Sequence, residues 1–213
     1  MELYKKGSPK SEMVRQIQIA LHLYPDGIFG IMTEEAIRDF QRENNLTVDG
    51  IVGPATLAKL IPFRIKKSKR VIKEIIIHCS ATPEGRDYTV EQIRKDHKQR
   101  GWSDIGYHYV IYRDGTIHNG RDVDIIGAHC AAGGHNKYSI GICYIGGVEN
   151  KEGVPYNRQK PKDTRTEEQR AALLSLLLDL RKIYPNAAIY GHHDFEPHKE
   201  CPSFDARKEY RRV

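Results

Sequence analysis

A turn motif occurs twice near the start of the chain. Asp26-Gly27-Ile28-Phe29-Gly30-Ile31-Met32-Thr33 returns 23 residues later as Asp49-Gly50-Ile51-Val52-Gly53-Pro54-Ala55-Thr56. Self-similarity at so short a period marks a repeated supersecondary unit. In each copy Asp-Gly reads as a tight turn in which glycine supplies a positive φ. Thr33 fits the N-cap of the helix that follows, and Pro54 suits the first turn of its counterpart. Ala36, Ile37 and Phe40 form a helical stripe after Thr33. Val14, Ile17 and Leu21 form another before the first turn, and Leu57 and Leu60 close a short third helix. The pattern predicts an all-α three-helix domain over residues 1–62, with Asp26, Asp49 and both threonines as turn and cap residues.

Charge divides at the same place. Residues 1–62 hold seven Lys/Arg against eight Asp/Glu, a net of −1, whereas the whole chain carries +6. The remainder is therefore basic, which favours a polyanionic partner such as an anionic cell wall. The acidic first part argues against a DNA-binding helix-turn-helix, and no nucleic-acid partner is expected. No apolar stretch is long enough to span a membrane. The opening Met1-Glu2-Leu3-Tyr4-Lys5-Lys6-Gly7 holds no apolar run of signal-peptide length, so synthesis in the cytoplasm is expected. Residues 63–70, with Lys66, Lys67, Lys69 and Arg70, read as a basic, solvated linker.

From residue 71 to 213 strand and helix signals alternate. Ile75-Ile76-Ile77 is a short apolar run of buried-strand type. Thr89-Val90-Glu91-Gln92 and Thr166-Glu167-Glu168-Gln169 are capping boxes that open helices running to about Arg100 and Ile183. Tyr107–Tyr112 and Thr116–His118 flank Asp114-Gly115, a hairpin signal. Ser139–Ile145 and Ala187–Tyr190 read as further strands, and Ser203 as the cap of a short last helix. The order predicts an α/β domain, a mixed β-sheet flanked by helices.

Ten histidines and four cysteines raise the question of a metal. The cysteines show no CxxC spacing, so a structural zinc knuckle is not expected. Two disulfides are possible by count, but a chain with an adequate core and no export signal has little need of them. His78 follows the run Ile75–Ile77, His192 and His193 follow the strand Ala187–Tyr190, and Cys201 comes nine residues after His192. Two strand ends and a loop would converge three ligands and leave a fourth position open, as in catalytic zinc sites. On an extended chain only one of His192 and His193 reaches the metal, and spacing does not say which. The same alternation turns Cys79 and His108 away. Lys199 lies two residues before Cys201, placed to stabilise developing negative charge.

Two resemblances sharpen this reading. The doubled D-G-x-x-G-x-x-T turn, with Phe40-Gln41 closing the first helix, resembles the peptidoglycan-binding domain attached to wall hydrolases, over residues 7–62. From about Lys73 onward the chain resembles the zinc amidase superfamily that includes the phage lysozymes and the animal peptidoglycan recognition proteins. The motifs are His78-Cys79-Ser80-Ala81-Thr82, Gly101 to Tyr109, Arg113-Asp114-Gly115-Thr116, Gly120-Arg121-Asp122, Gly127-Ala128-His129, Ser139-Ile140-Gly141-Ile142, and Gly191-His192-His193 through Cys201-Pro202-Ser203-Phe204. The resemblance implies Zn2+ held by His78, His192 and Cys201, catalytic roles for Tyr107 and Lys199, and a substrate-side position for His129. The His192–Cys201 segment is about one residue longer than in close phage relatives, which makes His198 the alternative to Lys199.

The function implied is hydrolysis of the amide between N-acetylmuramic acid and L-alanine by a monomeric enzyme acting on bacterial peptidoglycan. The expected place of action is the wall, reached by release through a phage holin. The alternatives are a recognition protein that binds without cutting, an amidase that recycles soluble wall fragments, and a regulator of a polymerase. Cys201 argues against the first, since non-cutting members of the superfamily lack that cysteine. A wall-binding domain argues against the second.

Overall fold

The computed structural model describes residues 3–61 and 63–213. The chain divides into two compact units, residues 1–64 and 65–213. The expected domain end at Pro62 lies outside the described residues.

The first unit holds helices α1 (Glu12–Ala20), α2 (Ile31–Glu43) and α3 (Pro54–Leu60). Val14, Ile17, Phe29, Ile37, Val52 and Leu60 form its core. Both Asp-Gly turns form, with φ of +79° at Gly27 and +71° at Gly50. The threonines correct the reading of the motif. Gly30 and Gly53 are the N-caps of α2 and α3, and Thr33 and Thr56 lie buried inside the helices. Their hydroxyls accept from two buried glutamines that stand, like the turns, 23 residues apart. Gln18 Nε2 donates to Asp26 Oδ1 (2.8 Å), Ile28 O (3.0 Å) and Thr33 Oγ1 (3.2 Å), while its Oε1 accepts from Gly27 N (2.8 Å). Gln41 repeats the set on Asp49 Oδ1 (2.8 Å), Ile51 O (2.9 Å), Thr56 Oγ1 (3.1 Å) and Gly50 N (2.9 Å). Each motif is thus a turn tied to the preceding helix by a fully satisfied amide.

The second unit carries a five-stranded sheet. Its strands are β1 (Glu74–Cys79), β3 (Tyr109–Ile111), β4 (Ile117–Asn119), β5 (Ser139–Tyr144) and β7 (Ala188–Gly191), in the order β4-β3-β5-β1-β7. Short strands β2 (Thr82–Pro83) and β6 (Gly147–Val148) pair separately. β3, β5, β1 and β7 run parallel and only the hairpin strand β4 is antiparallel. A parallel sheet is covered on both faces, which is why Ile75, Ile76 and Ile77 are all fully buried. Helix α4 (Val90–Gln99) starts at the Thr89 capping box, and α5 (Glu167–Ile183) at the Thr166 box. Leu173, Leu176, Leu177 and Leu180, at i, i+3, i+4 and i+7, put one stripe of α5 into the core. A last helix, α6 (Ala206–Glu209), is capped by Asp205 and not by Ser203.

The segment expected as a solvated linker packs on the second unit from Ile65 onward. Ser68 is buried; its N–H donates to the Tyr184 hydroxyl (2.6 Å) and its own hydroxyl to Val123 O (2.7 Å). Arg70 donates to Val123 O (2.7 Å) and Ser139 O (3.1 Å), and Lys66 pairs with Asp122 and Asp124 at 3.0 and 2.8 Å. Val123 belongs to no strand, so its carbonyl needs side-chain donors, and this segment supplies them. All four cysteines are free. Among the described residues no helix is long and apolar enough to cross a membrane.

Candidate active site

Topology brings the site together. β1 and β7 are parallel neighbours whose ladder ends with Ile77 beside Gly191. The next residue of each is a histidine, His78 and His192. In parallel sheets ligands bind beyond the carboxyl ends of the strands, where the exits converge. The third residue, Cys201, arrives on the loop before α6. That loop is fastened by the Tyr144 hydroxyl donating to Pro202 O (2.7 Å) and the Ser203 hydroxyl donating to Gly147 O (2.9 Å).

The ligand atoms of His78, His192 and Cys201 lie within 4.8 Å of one another. His78 Nδ1 is 3.7 Å from Cys201 Sγ, and the two imidazole rings are 4.5 Å apart. The other ring nitrogen of each histidine is taken from behind. His78 Nε2 lies 3.0 Å from His129 Nδ1, and His192 Nε2 lies 3.0 Å from Glu196 Oε1. Both histidines therefore present Nδ1 to the centre, with the opposite N–H engaged, as metal-binding histidines are commonly arranged. Burial pushes His78 and His129 well below the ordinary imidazole value, and burial lowers His192 too. All three are neutral near pH 7, the form in which imidazole binds a metal. The Cys79 N–H donates to Cys201 Sγ (3.3 Å), a bond that favours a thiolate, but the Cys79 thiol and burial together push the Cys201 thiol well up, so a bound cation is what would draw it to the thiolate. Two imidazoles and a thiolate with one position left open fit a catalytic zinc.

The pair His192-His193 sits on a 3-10 turn, His192–Asp194, and not on extended chain. The turn sends His192 inward and ties the His193 amide to Cys201 O (2.8 Å). Cys79 stays out of the ligand set, its sulfur 3.8 Å from the Ser203 hydroxyl.

Tyr107 lies beside the centre, its ring 5.2 Å from that of His78 and tilted 47° to it. Burial, helped by the nearby thiols of Cys143, Cys201 and Cys79, pushes its phenol well above the usual value, so it stays protonated. Lys199 Nζ is 2.7 Å from Glu196 Oε2, whereas His198 is largely exposed and its ring is 3.6 Å from the same oxygen. The hydrogen bonds from Lys199 and His192 hold the Glu196 carboxyl at about 2.

His129, expected on the substrate side, lies against His78. It is buried behind His78, with Nε2 3.3 Å from the Ser139 hydroxyl, and its amide is held by Asn136 Oδ1 (2.9 Å). Gly141 makes room for it, since a Cβ there would fall 2.5 Å from the His129 ring. His108 is structural: Nδ1 accepts from the Gly141 N–H (2.9 Å) and Nε2 donates to Ile125 O (3.1 Å). Sequence reasoning missed Glu196. The available signal was its place four residues after His192, one helical turn away.

The N-acetylmuramoyl-L-alanine amidase family matches residues 68–204, and the peptidoglycan binding domain family matches residues 10–60. The endolysin of Klebsiella phage KP32 is 43% identical over 135 residues, covering 63% of this chain and 83% of that protein. The endolysin of Escherichia phage T7 is 40% identical over 142 residues, covering 67% and 87%. Among solved structures, the N-acetylmuramoyl-L-alanine amidase LysC from Clostridium intestinale has a TM-score of 0.51 at 28% identity, over 70% of this chain and 91% of that one. A Drosophila PGRP-LB mutant in complex with tracheal cytotoxin has a TM-score of 0.52 at 25% identity, over 70% and 85%. The chain belongs to the N-acetylmuramoyl-L-alanine amidase family, with a peptidoglycan-binding module ahead of its amidase domain.

Proposed function

We propose that the chain is a zinc-dependent endolysin that hydrolyses the amide between N-acetylmuramic acid and the L-alanine of the stem peptide. It acts on the bacterial wall as a monomer. The observation that carries this reading is the convergence of His78 Nδ1, His192 and Cys201 Sγ within 4.8 Å, each imidazole neutral and backed by a second partner. Zn2+ bound there supplies a Lewis acid for the scissile carbonyl and lowers the pKa of a water. His78 and His192 are held by their Nε2 partners, which leaves Nδ1 for the metal, and the bound ion would draw Cys201 to the thiolate that the Cys79 amide can hydrogen-bond. The Tyr107 hydroxyl, kept protonated by its burial, can donate to substrate and accept from water. The Lys199 ammonium stands beside the centre through Glu196 and stabilises the oxyanion that develops on the attacked carbonyl. Residues 1–62 bind polymeric peptidoglycan and raise the local concentration of the amidase domain at an insoluble substrate.

The test is mass spectrometry of purified sacculi digested by the protein, with and without a chelator. Stem peptides beginning with free L-alanine are expected, and they disappear with chelator and return with Zn2+. Pelleting with sacculi without peptide release would instead favour recognition without cleavage.

A further inference from the structure

Glu196 stands out because, among the described residues, it is the carboxylate hydrogen-bonded to one of the proposed ligands. His78 is backed by a neutral imidazole, His129, whereas His192 is backed by this carboxylate. Its two oxygens are divided. Oε1 accepts from His192 Nε2 at 3.0 Å, and Oε2 pairs with Lys199 Nζ at 2.7 Å. The Glu196 side chain is only 16% exposed, so neither contact is a freely solvated surface pair. Both belong to one short piece of backbone. The Glu196 N–H donates to His192 O (3.2 Å), and Glu196 O accepts from the Lys199 N–H (2.8 Å). Three functional positions thus lie on two consecutive turns joined at Glu196, with little freedom to drift apart.

We propose that Glu196 is a positioning residue of the amidase centre, setting the tautomer of His192 and tethering Lys199 beside it. This rests on the zinc reading above. A carboxylate accepting Nε2–H fixes the proton on that nitrogen, leaves the Nδ1 lone pair toward the metal, and makes the imidazole a stronger donor. The same carboxylate places the Lys199 ammonium within one side chain of the metal ligand. It also offsets part of the repulsion between that cation and a bound dication. Cys130, His192 and Glu196 form a second triple with ligand atoms within 4.8 Å. A metal there would need His192 Nε2, the nitrogen whose proton Glu196 already accepts, and would have to displace Lys199. The hydrogen-bonded arrangement therefore accounts for the proximity of Glu196 to His192 without a second ion.

The test compares the full chain with Glu196→Ala and Glu196→Gln. Zn2+ affinity is measured by competition with a chromophoric chelator, and the melting midpoint is measured on the metal-free proteins. Glu196→Ala is expected to lose about 10- to 100-fold in Zn2+ affinity, the range for outer partners of metal ligands. Glu196→Gln, which retains an acceptor for His192 Nε2–H but no charge, is expected to recover part of it. Metal-free melting midpoints are expected to match the parent, which separates positioning from a merely structural role. If the parent binds Zn2+ and Glu196→Ala binds it within twofold as tightly, the role of Glu196 is overturned while the zinc reading stands. A parent that takes up no Zn2+ overturns the zinc reading, and this role with it.

Discussion

The loop that delivers Cys201 is anchored by a buried arginine, and removing that arginine has a calculable cost. The Arg165 guanidinium is fully buried. It donates to Asp163 through Nε (2.9 Å) and Nη2 (2.8 Å), to Glu209 through Nη1 (3.0 Å) and Nη2 (2.8 Å), and to the Tyr210 hydroxyl through Nη1 (2.9 Å). Its plane lies 3.3 Å from the centre of the Phe204 ring. It thereby joins the N-terminus of α5 to the segment after Cys201. Arg165→Ala leaves Glu209 without its cation and Asp163 with Arg170 alone (2.7 Å); because both carboxylates keep some solvent, the cost is about 2–3 kcal/mol, below that of breaking a fully buried pair. At roughly 2–4 °C per kcal/mol for a unit of this size, the melting midpoint should fall by about 4–12 °C.

The pH dependence carries a sign. Burial disfavours ionisation of Asp163 and Glu209, but the hydrogen bonds and charge of Arg165 outweigh it and hold both below their ordinary values of 3.8 and 4.5. A lowered folded value gives stability that is present above about pH 4.5 and lost as pH falls through the lowered values. Without the Arg165 side chain both carboxyls lose their largest lowering partner, and burial weighs more heavily against the Arg170 and Tyr210 contacts that remain. The gap between parent and variant should therefore be widest near neutrality and narrow below pH 4.5. Denaturant unfolding followed by tryptophan fluorescence measures it cleanly, because the single tryptophan, Trp102, lies in the second unit. A loss under about 1 kcal/mol at pH 7, the range of an exposed pair, would refute the argument, and so would a loss that does not change with pH.

Two further outcomes are expected. Gln41→Ala removes five hydrogen bonds from the buried turn-tying amide and should cost the first unit about 2–4 kcal/mol, read by thermal melting monitored with circular dichroism; a cost below half a kcal/mol would mean that the repeat does not depend on this amide. Removing residues 1–64, a cut that leaves Ser68 and Arg70 on the second unit, should weaken pelleting with sacculi while sparing hydrolysis of soluble muropeptides; equal loss on both substrates would sink the division of labour between the two parts.

Much of the architecture follows from information local in the chain. The Asp-Gly turns, the capping boxes at Thr89 and Thr166, the Ile75–Ile77 strand and the leucine stripe of α5 each depend on residues within about one or two turns, and each formed where its own residues predict. The candidate ligands were legible for a related reason: a histidine just past a buried apolar run lies toward the carboxyl end of its strand wherever that strand pairs. Where local logic was applied to positions governed by distant partners, it failed. Thr33 resembles an N-cap, but its hydroxyl is claimed by Gln18, fifteen residues away. Ser68 and Arg70 read as a solvated linker, but they satisfy carbonyls of Val123 and Ser139 more than fifty residues on.

The sequence by itself determined the elements, the two-part organisation and the residue types able to hold a metal, because these follow from periodicity, caps and strand ends. Only the tertiary structure decided which nitrogen each histidine presents, that His129 stands behind His78, and that Glu196 joins His192 to Lys199. The reason is physical: a ring's orientation is set by whatever occupies its far side. For His78 that occupant comes from a loop fifty-one residues distant, and for His192 from a turn whose bend no extended-chain reading contains.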